Sequence, residues 1–234
     1  MILSVKNLSI DYSNNNIVHN INFELKRGKI LAIVGESGSG KSTILKAVSG
    51  LLGQNGRISG GQILFESRDI TNINQSERLK LAGESIAMIF QNAGASFCPI
   101  RTIGEQIYES VIAHKTCHYD EFLEMTKIIM KDIDLDETVL NKYPFELSGG
   151  MAQRVGILAA MILKPKLLLA DEPTSALDTV IQANVVKLLM NLCKQYGLSI
   201  IIVTHNLNIA NYMADEIFVM NEEFNEQYFR SEKY

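Results

Sequence analysis

The chain reads Gly35-Glu36-Ser37-Gly38-Ser39-Gly40-Lys41-Ser42 between the apolar run 30–34 and a segment of helical character. This stretch fits the pattern G-x-x-x-x-G-K-[ST] in full, in the strand-to-helix context that the pattern requires. Glycines leave successive backbone N–H groups free to surround an anion, and the helix N-terminus adds the positive end of its dipole. We therefore predict a polyphosphate site, in which Lys41 reaches the β- and γ-phosphates and the Ser42 hydroxyl binds Mg²⁺.

A second apolar run ends in two carboxylates, in Lys166-Leu167-Leu168-Leu169-Ala170-Asp171-Glu172. The carboxyl end of such a strand lies at the sheet edge where α/β proteins bind their ligands. Asp171 is therefore predicted to hold the magnesium through water, and Glu172 to polarise an attacking water. Together the two segments predict a nucleoside triphosphatase.

The other apolar runs predict an α/β core. Strands are predicted at 30–34, 86–90, 167–170, 199–203 and 217–220. Their continuous apolar character is typical of parallel strands covered on both faces. Apolar residues recur at helical spacing from Ile181 to Leu192, and Gly197 follows as a C-cap. Residues 1–30 and 60–70 alternate and contain turn residues, which predicts antiparallel strands.

Residues 92–163 are predicted to be helical almost throughout, with a capping box that opens at Thr102. One apolar helix face then consists of Ile103, Ile107, Val111 and Ile112, and a second of Phe122, Met125, Ile128 and Ile129. We predict one domain over residues 1–234. Its nucleotide-binding core with an antiparallel β part spans 1–91 and 164–234, and the helical subdomain is the insert 92–163.

Composition excludes several classes of protein. Hydrophobic residues make up 47% of the chain, enough for a core and too many for disorder. The longest apolar run, 157–163, is far shorter than the roughly 18 residues of a membrane span. Three cysteines without Cys-x-x-Cys spacing predict reduced thiols rather than disulfides or a zinc site. The net charge of -4, without a basic run, argues against nucleic acid as a partner.

A third segment, Leu147-Ser148-Gly149-Gly150-Met151-Ala152-Gln153-Arg154, closely resembles the signature of ATP-binding-cassette (ABC) ATPases. Ser148 and the backbone N–H groups of the two following glycines open a helix and present a second anion site. The resemblance implies that this site faces the γ-phosphate bound by another subunit, so that ATP lies between two protomers. It also implies ATP hydrolysis by a P-loop NTPase (RecA-like) fold.

The resemblance assigns roles to further positions. Tyr12 is similar to the aromatic residue that stacks on adenine, and Gln91 to the glutamine that contacts magnesium and the attacking water. The segment 175–178 is similar to the loop that crosses between protomers, and His205 to the histidine at the γ-phosphate. The implied catalytic residues are Glu172, His205 and Gln91, and the implied magnesium ligands are Ser42, Gln91 and Asp171. The implied nucleotide-binding residues are Tyr12, Gly35, Glu36, Ser37, Gly38, Ser39, Gly40, Lys41, Ser42, Thr43, Ser148, Gly149, Gly150 and Asp178.

Within this family, the segments 96–104, 143–146 and 171–178 resemble the peptide and nickel importer branch. That branch implies an ATPase at the cytoplasmic face of the membrane that couples ATP-driven dimer closure to uptake of nickel, a metal chelate or short peptides. Its partners would be a second ABC ATPase, identical or paralogous, transmembrane permease subunits and, indirectly, a solute-binding protein. The absence of a secretory signal in the first residues agrees with that location.

Two alternatives share the motifs. A soluble ABC ATPase of DNA repair or translation normally has a long coiled-coil insert or two cassettes, and neither is found in this sequence. A catalytically silent binding module would have lost Lys41, Asp171, Glu172 or His205. Two departures from the family pattern are Met151, where glutamine is commonest, and the expected lack of a closing strand after Met220.

A cluster of possible metal ligands lies in the helical insert. His114, Cys117 and His118 would share one face of a helix, and imidazole with thiolate suits transition metals. No fourth ligand is evident, so we interpret the cluster as an exposed helix end and expect it to bind no metal.

Overall fold

The computed structural model describes residues 1–13, 15–175, 177–221 and 227–230. Its strands are β1 (Leu3–Tyr12), β2 (Asn15–Leu25), β3 (Ile30–Gly35), β4 (Gly56–Phe65), β5 (Arg68–Asp69), β6 (Ile86–Ile89), β7 (Leu167–Asp171), β8 (Ser199–Val203), β9 (Glu216–Met220) and β10 (Gln227–Arg230). Its α-helices are α1 (Lys41–Ser49), α2 (Gln75–Leu81), α3 (Ile103–Ile112), α4 (Tyr119–Asp132), α5 (Gly149–Met161), α6 (Thr179–Tyr196) and α7 (Leu207–Met213). Short 3₁₀ helices cover Ala93–Ser96, Glu137–Asn141 and Pro144–Glu146.

The central sheet has six strands in the order β10-β9-β3-β8-β7-β6. All five predicted parallel strands are confirmed, each within one residue of its predicted bounds. The expectation that no closing strand follows Met220 is wrong, because β10 pairs antiparallel with β9. This pairing covers a sheet edge that would otherwise be open.

The predicted antiparallel part is a second sheet with the order β2-β1-β4-β5. Its inner face, with Leu8 and Ile10 fully buried, shares one apolar cluster with Ile44 of α1 and Leu31 of β3. Helix α1 is therefore packed within that cluster, together with one face of the central sheet. This packing fixes the start of α1, where the glycine-rich segment ends.

The helices of the insert α3, α4 and α5 pack on the other face of the central sheet. The capping box is confirmed, since Thr102 Oγ accepts the Glu105 N–H and the Glu105 carboxylate accepts the Thr102 N–H. Val155 of the insert shares one continuous apolar cluster with Leu168 and Leu189 of the core. Because the packing is continuous, the division at residues 92 and 163 stays a prediction.

Two residues of the predicted helix faces point outward. Ile112 is 47% and Ile128 is 53% exposed, so both assignments to a buried face are wrong. Ile112 is the last residue of α3, where the helix leaves the core, and the buried stripe of α4 is Phe122, Thr126, Ile129 and Met130. Helical periodicity predicted both helices correctly, but it assigned too many residues to their buried faces.

The cluster in the insert does not lie on a helix as predicted. His114, Cys117 and His118 fall in the connection between α3 and α4, and of the three only Cys117 is buried. Within the described residues, no group of three or more His, Cys, Asp or Glu side chains is arranged to hold a metal ion. In the same part of the chain, no helix is both long and apolar enough to cross a bilayer.

The predicted C-cap of α6 allows a test of the fold. Gly197 has φ 63° and ψ 24°, in the left-handed region, and a Cβ there would meet no atom within 4 Å. Replacing it by alanine should destabilise the protein by about 1 kcal/mol through backbone strain alone. Gly197→Asn is the matched control, because asparagine adopts this conformation more easily. Equal losses for both variants in denaturant unfolding would contradict this explanation.

Candidate functional site

Lys41 is the first residue of α1 and its side chain lies almost entirely inside the glycine-rich loop, with the residue 5% exposed. Its Nζ donates to the Gly35 carbonyl oxygen at 2.9 Å, to Ser39 Oγ at 3.2 Å and to the Glu36 carbonyl oxygen. Burial lowers the pKa of Lys41, and the nearby carboxylates of Glu172 and Asp171 oppose that shift. The loop thus holds a poorly solvated cation, which an anionic ligand would stabilise.

The loop approaches strand β2 closely at Gly40. Its φ is 91°, and a Cβ there would lie 2.8 Å from Val18 Cγ2 and 3.1 Å from the Ile17 carbonyl oxygen. Only glycine satisfies both conditions. An open cleft of about 490 Å³ adjoins this contact, lined by Ile17, Ser37, Gly38, Gly40, Lys41, Ser42, Thr43, Gln91, Glu172 and His205. The sequence did not predict Ile17 as a lining residue, because Ile17 reaches the cleft only through the pairing of β2 with β1.

The end of β7 meets the start of α1 through a hydrogen bond. Ser42 Oγ donates to Asp171 Oδ1 at 2.7 Å, and Asp171 is only 8% exposed. Burial raises the pKa of Asp171, while the bond from Ser42 and the positive charges of Lys46 and Lys41 act in the opposite direction. Two of the three predicted magnesium ligands are thus already in contact.

Glu172 lies at a sharp turn after β7. Its φ of 44° is in the left-handed region that residues with a side chain rarely adopt. The Glu172 N–H donates to the Val203 carbonyl oxygen at 3.0 Å, which holds the turn against β8. Its carboxylate accepts from Gln91 Nε2 at 3.3 Å and lies 3.2 Å from His205 Nδ1. Three side chains from the ends of three neighbouring strands therefore meet at one wall of the cleft.

The predicted adenine-stacking residue lies elsewhere. Tyr12 is half-buried against the antiparallel sheet, and its hydroxyl donates to the Leu52 carbonyl oxygen at 2.8 Å. It is not among the described residues that line the cleft. The assignment of Tyr12 to the adenine stays a prediction.

The signature segment also lies outside this cleft. Ser148 caps α5 by accepting the Met151 N–H at 3.3 Å, and Ser148 and Gly149 are exposed. A Cβ on Gly150 would lie 3.3 Å from Ile181, so the start of α5 packs against the start of α6. Asp178 caps α6 by accepting the N–H groups of Val180 and Ile181, both at 3.0 Å. Ala176 of the predicted crossing loop lies outside the described residues.

Two helix N-termini thus open next to each other, away from the phosphate loop of the same chain. The α5 terminus carries no acidic residue in its first turn, and its leading residues are glycines. Such a terminus attracts an anion through its free N–H groups and dipole. In the described part of the chain, none of its leading residues Ser148, Gly149 and Gly150 reaches the cleft that contains Lys41.

Comparison with known proteins agrees with these observations. Residues 18–175 match the sequence family described as ABC transporter. The chain is 41% identical over 225 residues to the oligopeptide transport ATP-binding protein OppD of Escherichia coli strain K12, which covers 94% of this chain and 66% of that protein. This chain thus spans about two thirds of the length of that relative.

A second relative and one solved structure extend the comparison. The metal-staphylopine import system ATP-binding protein CntD of Staphylococcus aureus strain Mu50 is 37% identical over 224 residues, which covers 94% of this chain and 82% of that protein. The dimeric, post-hydrolysis structure of the ATP-binding cassette MJ0796 bound to ADP and Pi superposes with a TM-score of 0.86. That structure is 26% identical in sequence, and the match covers both chains in full. The fold is therefore that of the ATP-binding cassettes.

Burial of the Asp171 carboxyl group at the end of β7 should lower the stability of the folded chain near neutral pH. Because the folded-state pKa of Asp171 is raised, its contribution to stability is present at low pH and lost as pH rises through that pKa. Asp171→Asn should therefore unfold at a higher temperature than the parent near neutral pH without nucleotide, and the gain should shrink as pH falls. Asp69→Asn is the control of opposite sign, since bonds from Thr71 lower the pKa of Asp69. A parent that is as stable as Asp171→Asn at neutral pH would contradict the expected cost.

Proposed function

This chain belongs to the ABC transporter family, and on that basis we propose that it is the ATP-binding and ATP-hydrolysing subunit of a membrane importer. The observation that carries the proposal is the position of Glu172, between Gln91 and His205 on the wall of the phosphate cleft. A carboxylate held by two neutral or weakly basic side chains can accept a proton from water. The reaction is hydrolysis of ATP to ADP and phosphate.

The glycine-rich loop binds the polyphosphate in this proposal. Backbone N–H groups of residues 37–43 bind the phosphate oxygens, and the N-terminus of α1 adds its dipole. Lys41 exchanges its loop carbonyl partners for the β- and γ-phosphates, where a charged acceptor makes the stronger hydrogen bond. The carbonyl groups of Gly35 and Glu36 hold the Lys41 side chain in place until the ligand binds.

The residues at the ends of β7 and β6 fit a magnesium ion. Mg²⁺ prefers hard oxygen donors. The site offers three of them, Ser42 Oγ, the Asp171 carboxylate and the Gln91 side-chain oxygen. When bound, the ion neutralises charge that develops on the transferred phosphoryl group. Asp171 would hold it through water, with its Oδ1 also accepting from Ser42 Oγ.

Glu172 and His205 act on the attacking water and the γ-phosphate. Glu172 orients the water and takes up its proton, and Gln91 directs the carboxylate by donating to Oε2. His205, 65% exposed at its side chain, is placed to contact the γ-phosphate. The left-handed turn at Glu172 brings its side chain to this position.

The N-terminus of α5 completes the site from a second protomer in this proposal. Ser148, Gly149 and Gly150 present free donors but lie outside the cleft of their own chain. A head-to-tail dimer would place them on the γ-phosphate of the other protomer, with Asp178 at the crossing. ATP then stabilises the closed dimer because only that state binds its phosphates from both sides. The second protomer is an identical chain or a paralogue.

The permease subunits dock, in this proposal, on a groove that adjoins Gln91. The groove has a volume of about 330 Å³ and is mainly apolar, and its lining includes Phe90, Phe97 and Leu51. Phe90 and Leu51 are 41% and 51% exposed, although both are large apolar residues. Exposed apolar surface of this kind marks an interface. Docking there would hold the chain at the cytoplasmic face of the membrane and connect it indirectly to a solute-binding protein.

The imported solute is short peptides or a metal chelate, nickel among the metals, as in the branch that the segments 96–104, 143–146 and 171–178 resemble. Relatives described as transport proteins for oligopeptides and for metal-staphylopine support this class. The alternative of a soluble ATPase in DNA repair or translation receives no support from these relatives. Among the described residues, no feature favours it.

Glu172→Gln tests the proposed hydrolysis. The amide keeps the shape of the side chain but cannot accept a proton, so turnover should fall at least 100-fold while ATP binding is kept. The measurement is phosphate release with Mg²⁺ and ATP, together with nucleotide binding to the purified chain. Glu124→Gln, at an exposed carboxylate on α4, is the control and should retain full activity. Unchanged turnover in Glu172→Gln would reject the assignment.

Ser148→Arg tests the two-protomer site. The arginine would block closure over the other protomer's nucleotide, while the phosphate loop of its own chain is untouched. We expect parental ATP binding by the monomer, no ATP-dependent association in the Glu172→Gln background and loss of turnover. Ser76→Arg on α2, also exposed, is the matched control. Loss of nucleotide binding by the Ser148→Arg monomer would contradict a site completed by a partner.

A further inference from the structure

The C-terminus of α4 has an ordered cap that leaves two carbonyl groups for other partners. Asp134 has φ 51°, and the N–H groups of Asp134 and Leu135 donate back to the carbonyl oxygens of Lys131 and Met130 at 3.3 and 2.9 Å. This is a Schellman motif with a residue other than glycine in the left-handed position. The strained conformation turns the Ile133 and Asp134 carbonyl groups toward α5.

Arg154 of α5 binds these groups. Its Nη1 donates to the Ile133 carbonyl oxygen at 3.0 Å, to the Asp134 carboxylate at 2.9 Å and to the Asp134 carbonyl oxygen. A guanidinium at the negative end of a helix is electrostatically favoured. Helix α5, which carries Ser148 at its start, is thereby tied to the end of α4.

Asp132, the last residue of α4, makes the corresponding contact to α6. Its Oδ2 accepts from Gln195 Nε2 at 2.8 Å and from the Tyr196 hydroxyl. Burial, together with the bond to Asp132, raises the pKa of Tyr196 to about 12. The phenol therefore stays protonated and keeps donating over the whole working range of pH.

A polar joint between α4, α5 and α6 consists of Asp132, Arg154, Gln195 and Tyr196. At the opposite end of α6, Asp178 caps the helix beside the glycines of α5. Helix α6 has 18 residues and is thus about 27 Å long. The joint connects the C-terminal end of α6 to α5 through the end of α4, and the packing of Gly150 against Ile181 connects the N-terminal end of α6 to α5, so both ends of α6 are held against the insert.

We propose that Asp132 is a positioning residue, which through Tyr196 and Gln195 fixes the helical insert against α6 and so sets the pose in which Ser148 can meet the partner's nucleotide. The proposal rests on the two-protomer site of the preceding section. The hydrogen bonds that Asp132 accepts from Gln195 and Tyr196 restrict the orientations of the insert relative to α6. Without those bonds, the insert samples more orientations, and only a fraction of the chains can close on ATP.

The test compares Tyr196→Phe with Tyr212→Phe, whose ring is 57% exposed on α7. Spin labels on Lys127→Cys of α4 and Asn211→Cys of α7 report the orientation of the insert, in a Cys98→Ser background because Cys98 is an exposed cysteine that would also be labelled. We expect a broader distance distribution for Tyr196→Phe and no change for Tyr212→Phe. ATP-driven association of Glu172→Gln chains should weaken about fivefold to tenfold, while nucleotide binding by the monomer stays within twofold of the parent.

The remaining outcomes separate a positioning role from a merely structural one. If Asp132→Asn and Tyr196→Phe act through one bond, the double variant should broaden the distance distribution no more than a single variant does. Additive broadening would overturn the proposal. A lower melting temperature with an unchanged distribution and unchanged association would also overturn it. If the distribution broadens but the parent neither associates nor hydrolyses ATP, the joint is supported and the two-protomer function fails.

Discussion

The bond from Ser42 Oγ to Asp171 Oδ1 joins the start of α1 to the end of β7, and the rest of the site is arranged around it. Strand β8 lies between β3 and β7 in the sheet, and Ser42, which follows the loop after β3, reaches Asp171 because the three strands run parallel. Because these strands are parallel, their carboxyl ends lie at one edge of the sheet. The phosphate loop, the carboxylates and His205 follow from that topology.

This arrangement buries charge that the folded chain alone cannot neutralise well. Lys41 and Asp171 are 5% and 8% exposed. Burial lowers the pKa of Lys41 and raises the pKa of Asp171, which favours the neutral form of each group. Buried ions are costly unless they are paired and fully hydrogen-bonded. A ligand that brings phosphate to Lys41 and a cation to Asp171 offsets both costs together. Binding of the proposed metal-nucleotide complex would thus offset the cost of the two buried charges.

Much of the fold and most of the described residues that line the cleft could be predicted because their signals are local. Continuous apolar runs identified the five parallel strands, and the glycine pattern around Lys41 identified the phosphate loop. Contacts between distant segments could not be predicted in this way. Ile17 reaches the cleft only through β2 pairing, and Ile112 is exposed because α3 leaves the core at its last residue. Helical spacing shows which residues share a face, but not how much of that face a neighbour covers.

Two of the described non-glycine residues with left-handed backbone serve one event in the proposed mechanism. Glu172 at the cleft and Asp134 at the end of α4 both adopt left-handed conformations, which cost about 1 kcal/mol or more for residues with a side chain. At Glu172 the strain aims a carboxylate, and at Asp134 it aims carbonyl groups at Arg154. In the proposed mechanism the first prepares the chemistry within one chain, and the second orients the helix that would meet the other chain. A two-protomer ATPase of this kind would need both, because the cleft would stay inactive until the facing helix arrived in the correct pose.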